Sequence, residues 1–229
     1  MDNQQPDQKE MPVKSGSDLH QELQARITPL KFLEEEFERN AIIDTDLFEV
    51  QLKKAINPVL TDLVRKGLVE NPVSNLFFSS EWSPNDFLLR QLILKQGVYS
   101  GETALYLWEL SDQYPYRVEM TFKRGYKLPK RLPDKWASKL VIKQTAQDTI
   151  AQSVRELAVS GTNYTIKLYS PERALVELLQ GGNNMDMTHV SAVYKRYLKK
   201  SNKNVTKLLS TAYKTGKQKQ VRKLIEVLL

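Results

Sequence analysis

The chain has 229 residues, enough for one large domain or two modest ones, and its apolar fraction of 41% is ordinary for a protein with a packed core. It has no cysteine, which excludes disulfides, thiol catalysis and thiolate zinc sites. The net charge of +7 conceals a gradient, because residues 1–50 carry 5 basic and 12 acidic side chains whereas residues 171–229 carry 12 basic and 4 acidic. A basic C-terminal third indicates a polyanionic partner such as a nucleic acid, or else a solvated lysine-rich face.

The N-terminal residues carry no targeting or membrane signal. No run approaches the roughly 20 consecutive apolar residues of a membrane helix, and the opening MDNQQPDQKE lacks the basic start and apolar run of a secretory signal. We therefore expect a cytoplasmic protein that contacts no membrane. Residues 1–27 are polar and have little apolar periodicity, which predicts a mobile tail.

Residues 28–84 are predicted to fold as three short helices followed by a β-hairpin. Thr28 and Asn57 are suited to cap helices, since each precedes a proline, and Gly67 supplies a left-handed stop. This order is typical of a winged helix-turn-helix, whose third helix enters the major groove of DNA. The predicted elements are helices from Thr28, at Asp44–Leu52 and at Asn57–Lys66, and strands at Leu68–Glu70 and Leu76–Ser79.

Residues 85–229 are predicted to form a second domain of mixed α/β structure with a helical C-terminus. The apolar period is two in the strands and close to 3.6 in the helices, so the whole chain is assigned to the α+β class. Ser170 is suited to cap a helix that Gly181 and Gly182 end. The other predicted elements are helices at Asp86–Gln96 and from Ser100, strands at Tyr116–Lys123, Lys139–Lys143 and Asn163–Tyr169, and three amphipathic helices after Val190.

Basic and polar side chains in three segments are candidates for DNA contact. Arg65 and Lys66 are suited to phosphates, while the amide of Asn57 is suited either to reading an adenine edge or, more simply, to capping its helix. Lys217, Lys219, Arg222 and Lys223 extend the last segment. The candidates are Lys53, Lys54, Asn57, Thr61, Arg65 and Lys66 near the third helix, Lys123, Arg124 and Lys127 in a loop, and Lys195, Arg196, Lys199, Lys200, Lys203 and Lys207 near the C-terminus.

The sequence contains few of the motifs that would indicate an enzyme. There is no GxxxxGK or GxGxxG motif, and neither His20 nor His189 has a metal-ligand partner at a useful spacing. Asp44 and Asp46 form a DxD pair, which fits either the first turn of a helix or, less well, a nucleotidyltransferase signature. We expect a protein that is not an enzyme and that uses no cofactor or metal.

Several motifs in the second half resemble one family. VYSGETALYLWELSDQYPYRVEMTFKRGYK is similar to the central motif of the AbiEi antitoxins of type IV toxin–antitoxin systems, which act in abortive phage infection. TIKLYSPERALVELL resembles the family's strand and Ser-Pro-Glu-Arg helix start, and AVYKRYLKK and VRKLIEVLL resemble its C-terminal helices. The resemblance covers about residues 40–229 and is specific through the combination of motifs.

The resemblance implies a regulator in two parts. An N-terminal winged helix would bind double-stranded DNA at inverted repeats in its own promoter and repress transcription. A C-terminal domain would counteract a partner nucleotidyltransferase toxin without a stable complex and add basic surface for DNA. We expect a monomer in solution that assembles on DNA.

One departure from the family pattern leaves an alternative open. The predicted wing VENPVSNLFFSS contains no Lys or Arg, which removes part of the phosphate attraction that dominates affinity for DNA. The alternative is therefore a protein-interaction antitoxin with a degenerate winged helix and little DNA binding. A third possibility, which rests on the DxD pair and not on the wing, is a small nucleotidyl-transferring enzyme that uses Asp44 and Asp46.

Overall fold

The computed structural model describes residues 16–130, 132–180 and 186–228. The chain divides into two compact units, Met1–Ser83 and Pro84–Leu229, which we call the N-terminal and C-terminal units. Each unit contains both helices and an antiparallel or mixed sheet, so the predicted α+β class is confirmed. Within the described ranges, no helix is both long and apolar enough to cross a membrane.

The N-terminal unit combines two long helices with a three-stranded antiparallel sheet. The strand order is β1-β3-β2, so the first strand pairs with the last, with Ile43 opposite Phe77. Helix α1 packs on α2, and both cover one face of the sheet through a core that includes Leu33, Ile56 and Leu60. The elements are α1 (Gly16–Arg39), β1 (Ile42–Asp44), a 3-10 turn (Thr45–Leu47), α2 (Val50–Arg65), β2 (Val69–Val73) and β3 (Leu76–Ser79).

The predicted helix boundaries in this unit are partly wrong. Helix α1 begins at Gly16 instead of Thr28, and Pro29 lies inside it. Residues 16–27 of the predicted tail therefore belong to this helix, whose sequence is rich in the strong helix formers Leu, Gln, Glu, Ala and Arg. Residues 1–15 lie outside the described residues. Strand β3 and the left-handed stop at Gly67, with φ of +72°, are as predicted.

The predicted third helix is part of a longer helix that also includes residues 50–52 of the predicted second helix. Helix α2 runs through Asn57 and Pro58, so Asn57 is not a cap, and Glu49 precedes the helix without a side-chain capping bond. The apolar residues Leu52, Ile56 and Leu60 repeat every four residues and pack into one core, which outweighs the hydrogen bond that Pro58 cannot donate. Asp44, predicted to start a helix, ends β1 and caps the 3-10 turn.

Because Asn57 lies inside α2, replacing it with alanine should not weaken the protein. The higher helix propensity of alanine predicts that Asn57→Ala leaves the free energy of unfolding unchanged or raises it by up to about 0.5 kcal/mol. Urea denaturation of both proteins measures the difference. A loss of about 1 kcal/mol would instead be the cost of removing a helix cap and would contradict the continuous helix.

The C-terminal unit is built on a five-stranded mixed sheet of order β6-β5-β4-β8-β7. Strand β4 is parallel to β8 and antiparallel to β5, and β5 is parallel to β6. The strands are β4 (Val98–Tyr99), β5 (Val118–Lys123), β6 (Leu140–Thr145), β7 (Val154–Ala158) and β8 (Thr165–Tyr169). The helices are α3 (Asp86–Leu94), α4 (Gly101–Leu107), α5 (Asp134–Ala137), α6 (Gln147–Ala151), α7 (Pro171–Leu178), α8 (Met187–Lys199), α9 (Val205–Lys214) and α10 (Gln218–Leu228).

Five helices of this unit share one hydrophobic core. Helix α7 contacts α4, α8 and α9, and α10 contacts both α8 and α9. Leu105 of α4, Leu175 of α7, Tyr194 of α8 and Leu208 of α9 are all fully buried in this core. The hydroxyl of Tyr194 donates to the carbonyl oxygen of Leu175 at 3.1 Å, so the polar group of this buried side chain has a hydrogen-bond partner. The C-terminal helices are therefore fixed through α7.

Sequence patterns locate three of the five strands of this unit, namely β5, β6 and β8. The strands predicted from Tyr116, Lys139 and Asn163 are observed with ends shifted by one or two residues, and Ser170 caps α7 by accepting from the N–H of Arg173. Strands β4 and β7 were not predicted, since two residues are too few to show a period of two and β7 follows a short helix. The predicted glycine stop at residues 181–182 lies outside the described residues.

Strands β6 and β7 form the two edges of this sheet. On β6, Lys143 and Gln144 are exposed, and on β7, Arg155 and Glu156 are exposed. Charged side chains of this kind are common on natural edge strands.

Gly97 occupies a position that a side chain would destabilise. It has φ of +96°, and an added Cβ would lie 2.5 Å from Cε1 of the buried Phe122 ring. Gly125, with φ of +87° and open space around it, is a matched control for backbone strain alone. We expect Gly97→Ala to lower the free energy of unfolding by about 2 kcal/mol more than Gly125→Ala, because only Gly97 adds overpacking. Equal losses in chemical denaturation would contradict this packing.

Candidate nucleic-acid interface

The solvent-facing side of α2 carries three of the predicted DNA-contacting residues. Lys54, Thr61 and Arg65 are exposed, and their spacing of seven and four residues places them along one face of the helix. Pro58 is exposed between them. The Thr61 hydroxyl donates to the carbonyl oxygen of Asn57 at 2.8 Å, so it is already engaged with its own helix.

Acidic neighbours neutralise much of the charge at both ends of α2. Lys53 Nζ lies 2.6 Å from Asp46 Oδ1, and Lys66 Nζ lies 2.7 Å from Asp62 Oδ2. Arg65 also approaches Asp62, at 3.4 Å. The hydrogen bond from Lys66 is the main reason why the pKa of Asp62 is lowered. Lys54 is therefore the predicted α2 cation that makes no ion pair within the described part of the chain.

The hairpin after α2 carries no basic side chain. Strands β2 and β3 and the turn between them contain no Lys or Arg, and Glu70 is exposed. Over the whole N-terminal unit there are 9 basic and 15 acidic residues. The hairpin therefore contributes no phosphate attraction to this unit.

The predicted basic loop follows β5 in the C-terminal unit. Lys123, Arg124 and Lys127 are exposed and make no ion pair with residues that the structure describes. The loop is held by Tyr126, whose ring stacks on Phe122 with centroids 4.1 Å apart and whose hydroxyl donates to the carbonyl oxygen of Leu94. These cations thus sit on an anchored turn.

The predicted C-terminal cations separate into two groups of different character. Lys195 and Lys199 lie on the outer face of α8, and Lys203 follows in the loop to α9. All three are exposed, and within the described ranges none of them makes an ion pair. We call these three residues the free lysines, because their ammonium groups are open to a polyanion.

The other three C-terminal cations are engaged with the rest of the unit. Arg196 pairs with Asp112, and Lys200 Nζ donates to the carbonyl oxygen of Trp108 at 2.8 Å. Lys207 Nζ lies 2.9 Å from Oε2 of the buried Glu172. Lys200 and Lys207 nevertheless keep about a third of their side-chain surface exposed.

Helices α9 and α10 add cations beyond the main candidates. Lys217 is half-buried, while Lys219, Arg222 and Lys223 are exposed on α10. Lys214 on α9 is exposed as well. Since α10 packs against both α8 and α9, these cations extend the basic character of the same helical group, and the C-terminal unit carries 25 basic and 12 acidic residues.

Glu172 joins α7 to the following helices. Its Oε1 accepts from the Tyr197 hydroxyl at 3.1 Å, and that hydroxyl in turn accepts from the N–H of Asn204 at 2.8 Å. Burial raises the pKa of Glu172, but Lys207 and Ser170 outweigh burial and hold the pKa below its ordinary value. Glu172 is therefore a charged group that orders the α8–α9 loop.

The motifs that carry the family resemblance meet around the start of α4. The Ser100 hydroxyl accepts from Thr121, and the Thr103 hydroxyl accepts from the N–H of Glu119 at 2.9 Å. The N–H of Gly101, with φ of +52°, donates to Glu177 of α7 at 3.1 Å. These contacts fasten α4 to β5 and α7, so the motif residues have a structural role.

A cavity of about 590 Å³ lies beside this junction and is rich in charged groups. Its carboxylates have partners: Glu119 pairs with Lys143, Glu177 with Arg173, and Glu102 with His189 Nε2 at 3.1 Å. Among the described residues, no three His, Asp or Glu side chains are grouped to hold a metal ion. His189 thus has a carboxylate partner 87 residues away that the sequence spacing did not reveal.

Comparisons with known proteins give only distant structural likeness. No protein-family model matches the sequence, and a search of curated proteins gives no match. Among solved structures, the chain is similar to the RV2827C protein from Mycobacterium tuberculosis, with 17% identity and a TM-score of 0.43 over 81% of this chain and 76% of that chain. The resemblance to the AbiEi antitoxins stays a prediction.

Removing the partner of Glu172 should destabilise the C-terminal unit. We expect Lys207→Met to lower the free energy of unfolding by about 2 kcal/mol at pH 7, because it leaves a buried carboxylate without its cation. Lys199→Met, which removes an exposed unpaired lysine, should change it by less than about 0.5 kcal/mol.

The stabilisation from the ion pair between Lys207 and Glu172 should depend on pH. A lowered folded pKa stabilises the protein above about pH 4.3, the unfolded value for glutamate, and this stabilisation is lost as the pH falls toward the folded pKa. The loss caused by Lys207→Met should therefore shrink between pH 7 and pH 3 in urea denaturation. A loss independent of pH would mean that the Lys207 stem, and not its charge, stabilises the fold.

Proposed function

We propose that this protein is a cytoplasmic, DNA-binding transcriptional autorepressor and a type IV antitoxin that counteracts a partner nucleotidyltransferase toxin. The proposal assigns DNA recognition to the N-terminal unit and phosphate attraction mainly to the C-terminal unit. It includes neither an enzymatic activity nor a cofactor, and the DNA-bound form is an assembly of chains that are monomers in solution.

A winged helix-turn-helix is the interpretation of the N-terminal unit that its topology favours. Helix α2 is followed directly by the β2–β3 hairpin, and β1 closes the sheet against β3. In this interpretation α2 is the recognition helix, and Lys54 and Arg65 on its outer face reach the DNA. The 3-10 turn takes the place of the second helix, so the unit is a reduced version of the motif.

The free lysines are the observation that carries the proposal. Lys195, Lys199 and Lys203 stay exposed and unpaired within the described residues, while neighbouring cations are tied to acids of the same unit. Phosphate contacts dominate the affinity of proteins for DNA, and each one releases counterions. An excess of 13 positive charges in the C-terminal unit supports that unit as the main source of affinity.

Binding to DNA should therefore depend steeply on salt and on the free lysines. We expect the full chain to bind a duplex from its own promoter, with log affinity falling against log salt by about 0.9 per phosphate contact. The triple variant Lys195→Gln, Lys199→Gln, Lys203→Gln should make this slope shallower by about 2 to 3. Lys167→Gln, at an exposed lysine on β8, is a control that should not change the slope.

Fluorescence anisotropy with promoter and unrelated duplexes distinguishes the contributions of the two units to DNA binding. Lys54→Gln with Arg65→Gln should reduce the preference for the promoter more than the salt slope, because recognition is assigned to α2. Absence of binding to either duplex at low salt would remove the repressor half of the proposal. Rescue of growth on co-expression with a nucleotidyltransferase toxin tests the antitoxin half separately.

The absence of Lys and Arg from the β2–β3 hairpin favours a second candidate function. With no Lys or Arg on β2 or β3 and with Asp62 pairing Arg65 and Lys66, the winged helix could have lost DNA binding and the protein would act as an antitoxin alone. That candidate predicts toxin neutralisation with no promoter binding. The same pair of assays therefore distinguishes the two functions.

A further inference from the structure

A second, smaller cavity of the C-terminal unit has more basic than acidic side chains in its lining. Its volume is about 180 Å³, and it lies where the end of α4, the start of α7, strand β7 and the α8–α9 loop meet. Arg155, Lys200, Lys207 and Asn202 line it together with Glu172 and Trp108. Basic side chains from three separate segments of the sequence thus converge on one concave surface.

The charges in this cavity do not balance. Three cations face it, and Glu172 is the one carboxylate among its lining residues. That carboxylate is already paired with Lys207. Glu109 approaches Lys200 only to 3.9 Å and is 89% exposed, so it screens Lys200 weakly. The pocket therefore retains an excess of positive charge that an anion would neutralise.

The basic groups also keep hydrogen-bond donors for a ligand. Lys200 donates one of its three N–H groups to the Trp108 carbonyl oxygen, and Arg155 donates from Nη1 to the carbonyl oxygen of Val154 at 2.7 Å. Both acceptors are neutral main-chain oxygens, which hold the side chains in place without cancelling their charge. Asn202 is exposed in the same loop and adds a side-chain amide.

The cavity is large enough for a phosphate group. Its volume of about 180 Å³ exceeds what a tetrahedral anion of this size requires. The free lysines Lys199 and Lys203 are neighbours of Lys200 and Asn202 in the chain, so a polyanion bound to them passes close to the pocket.

We propose that this pocket is a binding site for a phosphate ester, with Arg155, Lys200 and Lys207 as its cations. This inference deepens the proposed function, on which it rests for the identity of the ligand: the phosphate belongs to the backbone of bound DNA. A small phosphate compound has the same chemistry, and the experiment distinguishes the two sources. Arg155 is a site residue that the sequence did not single out.

The first arm of the experiment uses inorganic phosphate and the full chain. Calorimetric titration at constant ionic strength should detect binding, and Arg155→Gln combined with Lys200→Met should weaken it about tenfold or more, because charged hydrogen bonds are lost. Glu172→Gln should strengthen binding instead, since it removes the competing negative charge. Lys214→Gln, at an exposed lysine outside the pocket, is the control and should bind as the unaltered protein does.

The second arm uses the promoter duplex at low salt. If the pocket holds a DNA phosphate, the Arg155→Gln, Lys200→Met variant should also lose duplex affinity by several-fold, while circular dichroism confirms its fold. Loss of phosphate binding with unchanged duplex affinity would assign the pocket to a small phosphate compound. Phosphate binding without any duplex binding would refute the proposed function but keep the pocket.

The proposal is overturned if inorganic phosphate does not bind, or if it binds equally to the unaltered chain and to the pocket variants. Duplex binding that persists in both cases would leave the proposed function intact. The opposite directions expected for Glu172→Gln and Arg155→Gln guard against misfolding as an explanation, because unfolding would weaken binding in both variants.

Discussion

The buried carboxylate of Glu172 is the group on which the C-terminal helices depend. A carboxylate removed from water requires compensation, and here a lysine of α9 and the tyrosine hydroxyl of α8 provide it. The same tyrosine hydroxyl accepts from the N–H of Asn204 and so fixes the loop between the two helices. One charge at the start of α7 thereby holds the end of α8 and the start of α9 in place, and with them the neighbouring free lysines Lys199 and Lys203.

This arrangement separates cations that stabilise the fold from cations that remain for a ligand. Arg196 pairs with Asp112 between α4 and β5, and Lys207 pairs with Glu172 of α7. The free lysines make no such ion pair with the described residues. Exposed lysines on a well-packed group of helices are suited to contacting phosphates without reading sequence.

Sequence patterns predicted the strands and the capped helix of the C-terminal unit because each depends on local signals. Val118, Met120 and Phe122 are buried at a spacing of two residues, and the Ser170 hydroxyl caps the next helix three residues on. Patterns misplaced the helix starts of the N-terminal unit because Asn57-Pro58 is a strong helix-start signal that tertiary packing overrides. Sequence patterns also failed to predict the ion pairs of the C-terminal cations. Nothing local reveals that Asp112 and Glu172 hold Arg196 and Lys207, or that Arg155 joins them, since these pairs are distant in sequence.

The two edges of the C-terminal sheet bear on how the protein behaves at high local concentration. A neighbouring copy that extended the sheet at β7 would have to desolvate Arg155 or Glu156, and one that extended it at β6 would meet Lys143. Such edges resist strand-to-strand fusion into fibres. Chains held side by side can thus remain separate folded bodies.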